Sequence, residues 1–529
     1  MAQHSWRDSD ASTETRQGSP PPPYSEYPPY HETGPDERTP LFGTGPAGIS
    51  AARHLQSSKA AQRIRLDITL FDSAPLVGGQ LALNASNGGQ VFPYDDPFQD
   101  PIIAEDVTGT ALMWGNPLFT RASEETLGDE VRFSELSSQE IGYFSGGIFS
   151  QTIRPYVTTP FWTFVGLVFR YGFSVWRAGD MIKETNIRDR IANAPVNIDI
   201  TQVMISIDLM GSIKQSAQEA LDGRGIGYPY ITDVLGPQVE RVHSQKISDI
   251  SALAMMLAAA QEDVASFYTG GELISRLDQI LAATDATVRT GVEVSGIRYA
   301  QVGEQNATWL VEYDTRTSPQ PRAETFDKVI LAAPRLDLYR AAAHRQDLEA
   351  ASILAYRPVD VAFFTVPTRI NPDVFGSYNQ LLFLEEQNGE DEYPAIREMA
   401  FLREVVSVGN DGDTRVEYLY RVLSDADATE RLRKLDLGIT WQYRTRLQHG
   451  HPVVYPTDRF PPFQLSPRGL WWTSAIHSVA STIDLSWLAG QIVAEDVLRD
   501  LTAGKKGPKT MTEEEEQEEG WEGEGKLPA

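Results

Sequence analysis

Apolar residues recur with two periods along this chain, and the alternation of those periods predicts an α/β protein. A helical pattern runs through ISAARHLQSS from Ile49, and period-two or continuous apolar character marks strands. Such strands are LDITLFD at Leu66–Asp72, ATWLVEYD, and DKVILAAP at Asp327–Pro334. A polar, loop-rich stretch reaches to about Asn116, and mostly helical text follows to Ala260. GGELISRLDQILAA at Gly270–Ala283 starts a second helix and strand unit, continued by ATVRTG and VEVSGIRYA. Four runs between Val361 and Ser424, VAFFTV, QLLFLEE, MAFLREVV and RVEYLYRVL, predict an antiparallel sheet. The chain returns through GLWWTSAIHSVASTIDLSWLAGQIVAEDVLRDL, a strand running into a long helix.

The expected organisation is a nucleotide-binding domain built from discontinuous pieces, with a substrate domain inserted between them. Its pieces are residues 39–115, 261–335 and 446–503. Residues 116–260 form a helical cap and 336–445 an antiparallel substrate sheet, while 1–38 and 504–529 are tails. The most apolar window, PFWTFVGLVFRYGFSVW at Pro160–Trp176, is broken by Arg170 and Tyr171 and is short for a bilayer span. It reads as a buried helix, either core or the lining of an apolar slot.

Composition narrows the chemistry. A net charge of -27 opposes nucleic-acid binding, which needs a basic face. Part of that charge sits in TEEEEQEEGWEGEG, a solvated like-charge tail. No cysteine is present, so disulfides, thiolate metal sites and cysteine nucleophiles are excluded, and no metal site is expected. Sequons at Asn84 and Asn306 would suit a glycoprotein but arise readily by chance. The first 30 residues show no basic start followed by an apolar core, so neither a signal peptide nor membrane association is read from the chain. Pro21, Pro22, Pro23 and Tyr24 have the form of a WW-domain ligand within a proline-rich linker.

The sharpest motif is GTGPAG, in which Gly43, Gly45 and Gly48 satisfy G-x-G-x-x-G. The first glycine permits a tight turn, the second lets backbone approach a pyrophosphate, and the third lets helix pack on sheet. Asp72 ends the next strand at a spacing suited to ribose hydroxyls. Gly78 and Gly79 follow as a second doublet, and VEV at Val292–Val294 and DKVILAAP recur in the order of FAD proteins.

With those pieces the chain resembles the prenylcysteine oxidase (prenylcysteine lyase) family, relatives in fold of the flavin amine oxidases. The likeness is carried by GTGPAGISAA, VGGQL, LVFRYGFSVWR, VERVHSQKISDISALA, FYTGGELISRL, INPDVFG, VYPTDRFPPF and IHSVASTIDLSWLAGQ. It implies a discontinuous, Rossmann-type FAD domain with an inserted α+β substrate domain. It also implies oxidative cleavage of the thioether of farnesyl- or geranylgeranylcysteine, as in breakdown of prenylated proteins. A hydride passes from the prenyl carbon beside sulfur to flavin, water adds, and the hemithioacetal collapses to prenyl aldehyde and cysteine. Oxygen reoxidises the flavin and gives hydrogen peroxide. No catalytic side chain is named, because hydride transfer demands orientation more than an acid–base dyad.

The resemblance further implies that Gly43, Gly45, Pro46, Ala47 and Gly48 face the pyrophosphate and that Asp72 meets the ribose. Gly78, Gly79 and Gln80 form the second phosphate loop, with Gln80 standing where many relatives carry arginine. Val292 presents backbone to adenine, and Ile483, Asp484 and Ser486 begin a helix pointing at the pyrimidine side of the flavin. His243 and His477 read as hydrogen-bonded structural residues. Family location would be vacuole, lysosome or secretory pathway.

One feature departs from the pattern. A central parallel strand usually shows about five consecutive apolar residues, whereas DERTPLFG offers Leu41 and Phe42, with Pro40 unable to donate to a ladder. The expectation is a first strand that is mostly absent, and a spliced form or gene model lacking an exon between about Pro40 and Gly43. Such a gap would weaken FAD binding. Two alternatives stand beside the leading reading: a flavin amine oxidase or desaturase on another apolar substrate, and a flavin-free protein binding prenyl lipids or WW domains, the second of which the gap favours.

Overall fold

The strand before the glycine loop is present. In the computed structural model β1 spans Glu37–Phe42 and β2 Leu66–Asp72. Two short strands and a hairpin follow: β3 (Ala111–Met113), β4 (Ser134–Glu135), and β5 (Ile141–Ser145) with β6 (Ile148–Ile153). Then come β7 (Ala265–Phe267), β8 (Thr287–Thr290), β9 (Val292–Val302), β10 (Asn306–Thr315), β11 (Ser318–Phe326) and β12 (Val329–Leu331). The remainder are β13 (Tyr356–Val366), β14 (Gln380–Leu384), β15 (Ile396–Val408), β16 (Thr414–Ser424), β17 (Trp441–Pro452), β18 (Gln464–Ser466) and β19 (Leu470–Trp472).

The structure describes residues 37–58, 66–82, 98–99, 111–113, 117–131, 134–135, 141–145, 148–153, 161–196, 199–267, 272–302, 306–315, 318–334, 354–370, 380–384, 395–408 and 412–505. The WW-type motif, residues 1–36 and 506–529 of the tails, Asn84 and most of INPDVFG lie outside them, while residues 37–38 and 504–505, expected in the tails, belong to the first strand and the last helix. From Asp36 onward the chain groups as one compact unit.

The first sheet has the order β18-β19-β12-β1-β2-β8, so β1 is central. It pairs parallel with β2 over its whole length, from Glu37 opposite Leu66 to Phe42 opposite Phe71. This corrects the expectation of a missing strand, and the reason lies in which edge Pro40 occupies. Backbone groups of alternate residues face the same neighbour. The Arg38 carbonyl accepts from the Asp327 and Lys328 N–H groups and the Phe42 carbonyl from Ala332 N–H, all on the β12 side. Pro40 falls on that side, so its absent donor is lost only to the short β12, and the pairing with β2 is untouched.

Arg38 supplies what apolar residues would have supplied. Its N–H donates to Asp327 Oδ2 at 2.7 Å, its Nη1 donates to the Thr325 carbonyl at 2.9 Å, and its guanidinium lies 4.8 Å from the Phe326 ring centre. Leu41 and Phe42 are buried in the main core, where Phe42 stacks on Phe71.

The second sheet has the order β17-β13-β16-β15-β14-β5-β6 and is antiparallel except for the parallel β14–β5 pair. All four runs expected as strands lie in it. It also takes in the hairpin 141–153, in a region expected to be mostly helical, and β17, which continues to Pro452. Period-two text in short segments is hard to tell from helical text when only one face is buried.

Six helices matter below: α1 (Pro46–Ser57), α2 (Pro117–Leu127), α3 (Phe161–Tyr171), α4 (Ser174–Thr185), α5 (Gly236–His243) and α6 (Ile483–Lys505). α1 packs on α6, and Ser50 Oγ donates to the Trp487 carbonyl at 2.7 Å. The aromatic window expected as one buried helix is instead split between α3 and α4, with Gly172 at the turn. Among the described side chains Leu167, Tyr171, Ser174, Val175, Ala178 and Met181 are buried there, while Phe161, Phe169, Phe173 and Trp176 are exposed.

Candidate functional site

Two glycine loops meet at the carboxyl end of β1. Gly43 leaves the strand with φ +109°, a value that favours glycine, and donates its N–H to the Phe71 carbonyl at 2.8 Å. Gly45 precedes α1, whose start has no side-chain cap and has proline at its first position. Helix starts of this kind leave backbone donors aimed outward. Gly79, at φ +58°, is pressed against Gly45 so closely that a Cβ on it would lie 2.9 Å from the Gly45 Cα. A Cβ on Gly48 would lie 2.0 Å from the Gly43 carbonyl oxygen. The surface between the loops is therefore bare backbone, the form that lets a diphosphate approach a helix N-terminus.

Thr44, which the motif reading passed over, locks this arrangement. Its N–H and hydroxyl both donate to Asp72 Oδ2, at 2.7 and 2.6 Å, and its carbonyl accepts from Gly78 N–H at 3.0 Å. Ala74 N–H donates to Asp72 Oδ1 at 2.8 Å. The expected ribose role of Asp72 is thus revised: Oδ2 has both lone pairs engaged, and only one on Oδ1 is left for a ligand. Sequence could hint at this only through a hydroxyl residue between the first two glycines. The Ala74 carbonyl in turn accepts from Gly291 N–H at 2.9 Å, which sets Val292 and the start of β9 beside the same edge.

Gln80 is turned elsewhere. Its Nε2 donates to the His449 carbonyl on β17 at 2.9 Å, so the side chain bridges the glycine doublet to the second sheet. His449 leads into a cluster at the junction of the sheets. Its ring lies 5.4 Å from Tyr356, whose hydroxyl is 2.9 Å from His477 Nδ1. His477 sits in the 3-10 turn Thr473–Ser478 that follows β19. His243 Nε2 lies 3.2 Å from the Ala254 carbonyl, as a structural histidine should, but its Nδ1 is buried with no hydrogen-bond partner.

Burial pushes His243 down to about 4. His451 is held at about 3 by burial and then by His243, Arg241 and Arg357, and His477 at about 4 by burial, though part of each residue's surface stays open to solvent. The same burial pushes the Tyr356 phenol up. At neutral pH His243, His451 and His477 are therefore uncharged. Among the described residues no group of three or more histidines and carboxylates could hold a metal ion.

α6 begins at Ile483, as expected. Thr482 caps it, its Oγ1 accepting from Leu485 N–H at 3.1 Å and its carbonyl from Ser486 N–H at 3.0 Å. Ile483 packs against the main core. The Asp484 carboxylate faces the first turn of α2, where it accepts from Phe119 N–H at 3.2 Å. It caps a neighbouring helix, a role that local sequence does not reveal because the two segments lie 365 residues apart.

Burial pushes the Asp484 carboxyl up to about 7, against the N–H groups of Phe119 and Leu118. A folded carboxyl that binds protons more tightly than the unfolded one costs stability increasingly as pH rises from about 4 to about 7. Asp484→Asn should therefore raise stability at pH 8 by about 2 kcal/mol, the relief of charge burial less the cost of a buried NH₂. Urea unfolding at several pH values checks this: the variant should lose pH dependence between about 4 and 7.

No curated protein matches the chain. The crystal structure of an oxidoreductase from Methanosarcina mazei is similar to it at 12% identity and a TM-score of 0.48, covering 89% of this chain and 100% of that one. The family model described as prenylcysteine lyase matches residues 157–506, a stretch that begins after the glycine loops and takes in α3 to α6, the second sheet from β13 on and the histidine cluster. With the larger part of its length so matched, this chain belongs to the prenylcysteine lyase family.

Proposed function

We propose that the protein is an FAD-dependent oxidase that cleaves the thioether of prenylcysteine. The observation that carries this is the bare-backbone cradle between Gly43–Gly48 and Gly78–Gly79, joined in one chain to the family match. In this reading Gly43, Gly45, Pro46, Ala47, Gly48, Gly78 and Gly79 hold the diphosphate. Asp72 offers its remaining Oδ1 lone pair to the ribose, and backbone at Val292 meets adenine. Bound flavin supplies a hydride acceptor for the prenyl carbon beside sulfur. The overall change balances as prenylcysteine, oxygen and water going to prenyl aldehyde, cysteine and hydrogen peroxide.

The chain's own residues orient the groups at the junction. His243, His451 and His477, held neutral by burial, add no charge of their own to the junction, where Arg241 and Arg357 stand beside His451. Tyr356, its proton held on by burial, shares a hydrogen bond with His477 Nδ1 and another with Ser474, which fixes the ring at the junction. Gln80 ties this junction to the phosphate loops through His449.

The intact β1 removes the missing strand that favoured a flavin-free protein. The test is the visible spectrum of purified protein, followed by anaerobic addition of farnesylcysteine. A yellow protein that bleaches, and yields peroxide when air is admitted, is expected. Colourless protein that gains no flavin on adding FAD overturns the reading, and bleaching by amines alone reassigns the substrate. Gly79→Ala should weaken FAD binding about tenfold, since an alanine at positive φ costs about 1 kcal/mol and its Cβ collides with Gly45. Flavin titration against the variant measures this.

A further inference from the structure

We propose that the surface formed by α3, α4 and the adjoining Tyr228 is a lipid-docking face that seats in the headgroup layer of a bilayer. Phe161 is 70% exposed, Phe169 88%, Phe173 69%, Trp176 56% and Tyr228 73%. The first four recur, with half-buried Val165 between Phe161 and Phe169, at steps of four, four, four and three residues. On α3 that spacing puts Phe161, Val165 and Phe169 on one stripe, and beyond the Gly172 turn Phe173 and Trp176 stand exposed at the start of α4. Tyr228 joins them because Gly227 N–H donates to Ser174 Oγ at 2.9 Å.

The opposite stripe fixes the stripe's presentation. Tyr171 donates to Asp233 Oδ2 at 3.1 Å and packs edge-on against Tyr230 at 5.4 Å, and Val175, Ala178 and Met181 are buried beneath. The aromatic groups are thus held outward by a packed inner face. A soluble surface rarely carries so much contiguous aromatic area without a partner.

Charge selects the partner. Phe161 to Ala178 contains Arg170 and Arg177 and no acidic residue, in a chain whose net charge is -27. Arg170 is paired with Asp233 at 3.0 Å on the inner side, while Arg177 Nη1 donates to the Gly225 carbonyl, three residues before Tyr228, and is the cation beside the aromatic strip. Aromatic rings flanked by arginine suit the boundary between headgroups and acyl chains. No helix among the described residues is long and apolar enough to cross a membrane. The contact is therefore peripheral, and it revises the reading of a chain that encodes no membrane association. It does not depend on the enzymatic proposal.

The experiment is flotation of the full chain with phosphatidylcholine vesicles, with and without a minority of phosphatidylserine. The protein should float with the vesicles, more strongly where phosphatidylserine is present. Phe169→Ser combined with Trp176→Ser should cut partitioning about a hundredfold, and Phe169→Ser alone about tenfold. Both variants change exposed positions, so their thermal unfolding should match the parent. Vesicle binding unaffected by the double substitution overturns the proposal. So does a parent protein that fails to float, or one that instead dimerises in a manner the variant abolishes.

Discussion

Glu398→Ala is expected to destabilise the protein by about 3 to 5 kcal/mol, because it would leave the buried Arg421 and the half-buried Arg241 without their counter-charge. Glu398 is fully buried on β15. Its Oε1 accepts from Arg421 on β16, at 3.1 Å from Nε and 2.5 Å from Nη2, and its Oε2 accepts from Arg241 Nε on α5. One residue earlier, Arg397 pairs with Glu240 on α5 and with Asp425 at 2.7 Å. Consecutive strand residues normally point to opposite faces. Here the ladder with β16 shifts register between Ile396 and Glu398, and both side chains reach the helix.

The two arginines hold the Glu398 carboxyl down at about 2 despite its burial. A depressed carboxyl contributes stability that is complete above the unfolded value near 4.5 and is lost as pH falls toward 2. That contribution amounts to about 3 kcal/mol. Urea unfolding from pH 7 to pH 3 should thus show the parent losing stability in acid. Glu398→Gln, with the charge gone but the size kept, should start lower and lose less. A Glu398→Ala protein as stable as the parent at pH 7 would mean that α5 and the second sheet are not joined through this carboxylate.

The same network explains what local sequence conceals. VERVHSQ carries the family likeness, but the partners of its Glu240 and Arg241 lie 157 residues away, beyond any local pattern. The glycine loops were legible because each requirement is local: Gly43 turns the chain and Gly48 fits under it. Asp72 and Asp484 were legible as acids at element ends but not by role, since an end acid serves a ligand or a neighbouring backbone equally well. β1 was misread because strand strength was judged by apolar count, whereas Arg38 and Asp327 provide polar pairing at its start. In α3 and α4 aromatic content pointed to the core, yet packing takes only one stripe of each helix.

Gly48→Ala should cost at least about 3 kcal/mol, at the upper end for an overpacked site, and abolish flavin binding with the fold. Glycine-to-alanine within a helix ordinarily stabilises by about 0.5 to 1 kcal/mol, because alanine loses less backbone freedom on folding. At Gly48 the sign reverses. The new Cβ would lie 2.0 Å from the Gly43 oxygen, 3.1 Å from its carbonyl carbon and 3.3 Å from the Ala332 Cβ. The two closest neighbours are main chain, so no rotamer change relieves the contact. Either β1 or α1 must move, and Leu41 and Ile49 are both fully buried beside them. Gly166 in α3 provides the matched control, since a Cβ there meets nothing within 4 Å. Gly166→Ala should leave the urea midpoint unchanged or raise it, while Gly48→Ala lowers it sharply. If both variants unfold together at the parent's midpoint, α1 does not start against the end of β1, and the cradle for the diphosphate is lost with it.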